Sequence, residues 1–344
     1  MGEGVGDGVA DGVGGTRPAL ALDVGGTKLA AGVVDPGGRV IAQARTPTPA
    51  GPDGEQVWRA LDDLFTSVLE ESGFTEAELA GVGCGCGGPM EWPAGRVSPL
   101  NLPAWRGFPL RDRLAERLPG LPVRVHNDAV CLAAAEHWRG AGRGRSSMMG
   151  VVAATGMGAG LILDGRLISG ASGNAGHIGH IVVDPDNGPV CRCGGRGCAE
   201  AIVRGPALAE WARAQGWRPG QGDATARDLA QDAALGHPVA LAAMHRAGRA
   251  LGLAIASAAS LCDLEVVTVG GGVAQAGPLL FDPLAETLRA HARLPFTRHL
   301  PVVPVALGQN VGLVGAAALI LAADRYWTEF QTASGPAPTS PAPS

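Results

Sequence analysis

His180 precedes the run Cys191-Arg-Cys193-Gly-Gly-Arg-Gly-Cys198, so one histidine and three cysteines fall within 19 positions. This is the donor set of a closed, structural tetrahedral zinc site. Glycines at 194, 195 and 197 let the backbone turn tightly enough for three thiolates to converge. The alternative is three free thiols in a Gly-rich loop; the glycine spacing and the placed histidine favour the metal. A Cys191–Cys193 disulfide is disfavoured, because a single intervening residue strains the bridge. Glu200 follows two residues after Cys198, so a metal here also fixes where that carboxylate points.

A second stretch suits phosphate. Leu20-Ala-Leu-Asp23-Val-Gly25-Gly26-Thr27-Lys28 reads as a buried strand ending in an acid and a glycine turn, followed by a second apolar run to Val34. An acid at a strand end directs a carboxylate at Mg²⁺, and the amides after it face phosphate oxygens. The spacing is not that of a Walker loop. Alone, Asp-x-Gly-Gly also makes ordinary hairpin turns.

With the cysteine loop, these residues resemble the ROK family of sugar kinases. The resemblance runs from about Leu20 to about Arg325. It rests on Asp23-Val-Gly-Gly-Thr-Lys28, Asn101-Leu-Pro-Ala-Trp105, His126-Asn127-Asp128, Ala154-Thr-Gly-Met-Gly-Ala-Gly160, Gly176-His-Ile-Gly-His180, the cysteine loop and Val269-Gly-Gly-Gly272. It implies an actin-like ATPase (ribonuclease H-like) α/β fold, with two lobes around a cleft. It also implies ATP and Mg²⁺ as cofactors beside Zn²⁺, phosphorylation of the 6-hydroxyl of a hexose or N-acylhexosamine, and a homodimer or homotetramer.

Asp128 is the expected general base. It lies where a strand gives way to a helix, a position facing the crevice of an α/β sheet, and a kinase needs a carboxylate there to take the proton of the attacking hydroxyl. The plainer reading is that Asp128 caps the helix Ala129–Arg139; the resemblance, in which the matching aspartate is the base, favours catalysis. Asn101, Asn127, Asp128, His180 and Glu200 match sugar-contacting positions, with His180 also a zinc ligand. Amide and carboxylate groups suit hydroxyls that both donate and accept. The plainer readings are a turn residue for Asn101 and a helix-start charge for Glu200. Thr155-Gly156 and Gly270-Gly271-Gly272 each follow a buried strand with no side chain to block a ligand. The resemblance assigns the first turn to the ATP phosphates and the second to adenosine, beside Asp23, Gly25, Gly26, Thr27 and Lys28.

Two departures bear on the substrate. The family's glucokinases carry Ala-Gly-Glu-x-Gly-His where this chain has Ala175-Gly-His177-Ile-Gly-His180. The chain's version resembles the family's bacterial N-acetylmannosamine kinases, and His177 is a sugar-binding candidate able to donate or accept. The other is Gly83-Cys84-Gly85-Cys86-Gly-Gly-Pro89, where the family has a Pro-Gly-Pro turn; Cys84 and Cys86 read as small fillers rather than as ligands or redox thiols.

Alternating strands and helices place these motifs on an α/β framework. Strands are expected at Leu20–Asp23, Lys28–Val34, Val40–Thr46, Leu79–Gly85, Val123–His126, Met148–Ala154 and Glu265–Val269, with a hairpin over Gly160–Ser169. Helices are expected at Glu55–Glu71, Leu110–Leu118, Ala129–Arg139, Pro238–Leu261, Leu279–Ala292 and Val311–Trp327. A small lobe is expected from 19–126 plus 306–327 and a large lobe from 127–305, between loose tails at 1–18 and 328–344. No repeat with a period of 20–50 residues is visible. A net charge of −5 without a basic run argues against a nucleic-acid surface. No basic recognition helix precedes the first strand, which disfavours the family's transcriptional regulators; a non-catalytic sugar sensor is the other alternative. No secretory pattern is visible, the apolar helix Val311–Ala323 is too short to span a bilayer, and clustered cysteines suit a reducing cytoplasm.

Overall fold

The computed structural model describes residues 16–220 and 223–327. Residues 1–15 and 328–344, most of the two expected tails, lie outside that range. The first tail ends earlier than expected, since Pro18 O already accepts from Ala80 N–H at 2.8 Å.

Apolar runs broken by glycine turns give β1 (Ala19–Val24), β2 (Lys28–Val34) and β3 (Val40–Pro47). Helix α1 (Gly54–Ser72) starts at Asp53, whose side chain accepts from Glu55 N–H, and ends at the left-handed Gly73. Its buried stripe, from Val57 through Leu61, Leu64 and Val68, follows the helical period. Then come β4 (Val82–Cys86), a small antiparallel sheet of β5 (Met90–Glu91), β6 (Arg96–Val97) and β7 (Phe108–Pro109), α2 (Leu110–Arg117), β8 (Val123–Asn127) and α3 (Asp128–Arg139). The small sheet was not expected; two-residue strands carry no legible alternation.

The second half contains β9 (Met148–Ala153), β10 (Met157–Leu163), β11 (Arg166–Ile168), α4 (Glu200–Val203), α5 (Gly205–Ala214), α6 (Ala226–Ala234) and α7 (Pro238–Cys262). It continues with β12 (Val266–Gly270), α8 (Pro278–His291), β13 (Val302–Pro304), α9 (Val311–Leu321) and α10 (Ala323–Tyr326). The expected helix Val311–Trp327 is in fact two, broken at Ala322, whose φ of −133° is not helical. Beyond the break, Tyr326 is buried and its hydroxyl meets His137 Nδ1 of α3 at 2.7 Å.

The sheets order as β3-β2-β1-β4-β8 and β11-β10-β9-β12-β13. In each, the first three strands in sequence form an antiparallel meander and the last two join in parallel. The same topology is thus built twice, at a spacing far beyond a short repeat. The β1–β2 turn at Gly25-Gly26 therefore has its counterpart in the β9–β10 turn at Thr155-Gly156.

Helices α3 and α9 share a core with Ala19, Val34, Met148 and Val266 from both sheets. Their approach depends on missing side chains: a Cβ on Gly315 would sit 1.8 Å from Cys131 O, and one on Gly83 would sit 1.8 Å from Ala316 O. Helix α7 is long and apolar enough, by length and composition, to cross a membrane. Its Ala247, Leu251 and Ile255 are instead buried in the core under the second sheet.

Candidate active site

The candidate metal loop begins on a short helical turn, Ile178–His180, held to β10 by Ala159 N–H donating to Gly176 O at 2.7 Å. His180 Nδ1 lies 3.7 Å from Cys191 Sγ, and Cys193 Sγ lies 3.8 Å from Cys198 Sγ. All four donor atoms fall within 4.8 Å of one another. Sulfurs bound to one zinc at about 2.3 Å stand about 3.8 Å apart on a tetrahedron, so the set fits the metal. The thiols are unequal: the Gly195 N–H lowers Cys193, while burial pushes Cys198 up to about 12. Holding three neighbouring thiolates requires a cation. Among the described residues no other group of His, Cys, Asp and Glu is arranged for a metal.

Cys84 and Cys86 are buried and belong to the apolar core. Burial pushes both thiols well above the usual range, as fillers and not reactive groups.

Asp128 is the first residue of α3, but the cap is Asn127, whose Oδ1 accepts from Ala129 N–H at 3.0 Å. The plainer reading of Asp128 as the cap residue is corrected. The backbone before the helix is extended at Asn127 (φ −63°, ψ 144°), the conformation a cap requires. Asp128 Oδ1 also accepts from Ala129 N–H, at 2.9 Å. Burial raises the Asp128 carboxyl, and the Ala129 bond opposes that rise.

Asp23, at the end of β1, is pushed up to about 6, mainly by burial and then by Asp128, against Lys28 and Arg45. It faces the start of α9, where a Cβ on Gly312 would lie 2.6 Å from Asp23 Oδ2. The Gly25–Lys28 turn is closed by Gly25 N–H to Lys28 O at 3.0 Å and braced by Thr48 Oγ1 to Gly25 O at 2.7 Å. Thr27 and Lys28 are exposed.

The turns meet around Asn101. A Cβ on Gly26 would be 2.5 Å from Asn101 O, and one on Gly156 would be 2.8 Å from Asn101 Nδ2 and 3.2 Å from Glu200 Oε2. Trp105, buried and stacked on Phe108 with centroids 4.2 Å apart, anchors this loop. Glu200 opens α4 and is buried, its Oε2 accepting from Met157 N–H at 2.8 Å. The point where a Gly88 Cβ would stand lies 3.1 Å from Asn127 Nδ2 and 3.4 Å from His177 Nε2. The His177 and His180 rings face each other with centroids 6.1 Å apart. His177 Nδ1 is 3.0 Å from Asn174 O; a carbonyl accepts, so the neutral ring carries its proton there. In that tautomer Nε2 is the acceptor.

The Gly270–Gly272 turn is open at Gly272, where a Cβ would meet nothing within 4 Å. Gly271 (φ +94°) could bear no side chain, because a Cβ would lie 2.4 Å from Ala153 O. Gly270 ends β12.

Three supporting residues were missed from sequence. Glu136, buried on α3, accepts from Ala141, Ala306 and Leu307 N–H at 2.8, 3.1 and 3.1 Å, tying α3 to the segment that leads into α9. Arg45 donates to Gln309 Oε1 and Asn310 Oδ1, both at 2.8 Å, fixing the start of α9 beside Asp23. Arg192, between the candidate metal ligands Cys191 and Cys193, donates to Asn101 Oδ1 at 3.3 Å. A charge inside a helix, on a strand and in a loop gives no sequence signal for such partners.

Comparison with known proteins places this arrangement. Residues 19–323 match the ROK family. This chain belongs to the ROK family. This ROK protein is 33% identical over 312 residues to a glucokinase of Thermotoga maritima, covering 88% of the chain and 96% of that protein. It is 36% identical over 298 residues to an N-acetylmannosamine kinase of Yersinia pseudotuberculosis, covering 87% and 96%. Among solved structures it superposes with TM-score 0.77, at 34% identity, on a ROK family glucokinase from Streptomyces griseus in complex with glucose and AMPPNP, covering 88% of this chain and 99% of that one. The ROK protein therefore has the actin-like ATPase fold expected from its sequence.

Proposed function

We propose that the protein is a cytoplasmic, ATP-dependent kinase that phosphorylates the 6-hydroxyl of a hexose or N-acylhexosamine, with Asp128 as general base. The observation that carries the reading is the convergence of Asp23, Asp128 and the two glycine turns on one cleft, in a chain whose relatives are named as sugar kinases. In this reading residues 19–126 plus 306–327 form one lobe and 127–305 the other, and the active assembly is a homodimer or homotetramer.

Mg²⁺–ATP, when bound, supplies the phosphoryl group and neutralises its charge. Asp23 would face the cation, with Gly25, Gly26, Thr27 and Lys28 on one side of the phosphates and Thr155 and Gly156 on the other; Gly270, Gly271 and Gly272 would border adenosine. Asp128 Oδ1 is engaged by Ala129 N–H, so Oδ2 is the atom that takes the proton of the attacking hydroxyl. Asn127 Nδ2 and His177 Nε2, which border one point near Gly88, orient the sugar from one side. Asn101 and Glu200 hold it from another. Zinc on His180, Cys191, Cys193 and Cys198 would have a structural role, fixing the loop between His180 and Glu200.

The test is a coupled ADP-release assay with Mg²⁺–ATP over a sugar panel that includes glucose and N-acetylmannosamine. Sugar-dependent ADP release is expected with one of these. Sugar binding without turnover across the panel would replace this reading with that of a sensor.

A further inference from the structure

We propose that Arg192 is a positioning residue that sets the hydrogen-bonding direction of Asn101, so that one sugar hydroxyl is read as acceptor and donor at once. The inference rests on the kinase reading and deepens it. Arg192 sits between Cys191 and Cys193 and is exposed, with Nη1 donating to Asn101 Oδ1 at 3.3 Å. The other end of the amide, Nδ2, stands 2.8 Å from the point where a Gly156 Cβ would lie, and Glu200 Oε2 stands 3.2 Å from that same point.

A primary amide can face either way, because one end accepts and the other donates. Here its surroundings remove the choice. A guanidinium only donates, so the end facing Arg192 must be the oxygen, and the NH₂ is then the end turned toward the point it shares with Glu200 Oε2. Arg192 thereby imposes one direction on Asn101. A hydroxyl bound between Nδ2 and Oε2 accepts from the amide and donates to the carboxylate, which already takes the Met157 N–H. The chain of bonds runs one way from Arg192 through Asn101 and the hydroxyl to Glu200. Because Arg192 lies within the cysteine loop, the fold of that loop also determines whether the arginine reaches Asn101.

The test is a double-mutant cycle on the KM for the best sugar, using R192A, N101A and R192A/N101A, with zinc content and Tm measured for each protein. R192A is expected to raise KM about fivefold, the size of one partly exposed hydrogen bond, and to change kcat less. Since Arg192 acts through Asn101, removing it from N101A should change KM by less than about twofold. R192K, which only donates, should recover most of the affinity; R192Q, which also accepts, should not. Additive effects in an otherwise active enzyme overturn the inference and leave the kinase reading intact. A wild type that turns over no sugar overturns both. Should R192A lose zinc or fail to fold, R192K and R192Q decide in its place, and equal KM values for the two overturn the proposal.

Discussion

Asp23 is held in a state that costs the fold stability, and replacing it with asparagine should expose the cost. Its carboxyl is pushed up to about 6 from an ordinary 3.8. At about 1.4 kcal/mol per pH unit, ionised Asp23 destabilises the ligand-free fold by about 3 kcal/mol at neutral pH. That figure is a ceiling, since the residue keeps part of its surface open to cleft water, which screens the charge. The sign follows from proton binding: between pH about 4 and 6 the folded state holds a proton that the unfolded state has released. Stability therefore falls as pH rises through this window and levels off above it. Asp23→Asn has no proton to lose. Urea denaturation without nucleotide should show it more stable than wild type by up to about 3 kcal/mol at pH 7.5. The two should converge near pH 4, and kinase activity should be lost. The difference between the proteins isolates Asp23 from other titrating groups. Equal stability of the two proteins across this range would refute the reasoning, because it would mean that the cleft solvates the carboxylate as water does.

Asp128→Ala should lower kcat by at least about 10²-fold while sugar Kd, from isothermal titration, stays within about tenfold; near-normal turnover would leave Asp128 only a structural part in α3. Cys198→Ala should release the metal and with it the activity, read by elemental analysis beside the kinase assay; active wild-type protein without zinc would contradict this. His177→Glu should move the ratio of kcat/KM values from N-acetylmannosamine toward glucose, because the glutamate brings a charged acceptor where His177 Nε2 now stands. An unchanged ratio would show that position 177 does not read the sugar's substituent.

The convergence of His180 with the three cysteines, the Asp23 turn and the strand-to-helix junction at Asp128 were legible because each is local. Donor type, glycine placement and strand length lie within a few consecutive residues, and the chemistry they permit hardly depends on the rest of the chain. The long strands and helices were legible for the same reason, through their periodicity. The duplicated sheet topology was not, because the halves share strand order while their side chains serve different cores. Other features were decided by groups distant in sequence. The partner of Tyr326, past the break in the last helix, is His137, 189 residues away. Asn101 received its direction from Arg192, 91 residues on, and the approach to α9 was fixed by Glu136 across 171 residues. Even over short spans the backbone path mattered: Asn127 rather than Asp128 became the cap, and a carbonyl three residues before His177 chose its tautomer. Sequence specified which groups are present; which way each donates, accepts or ionises was set by the neighbour that folding brought within about 3 Å.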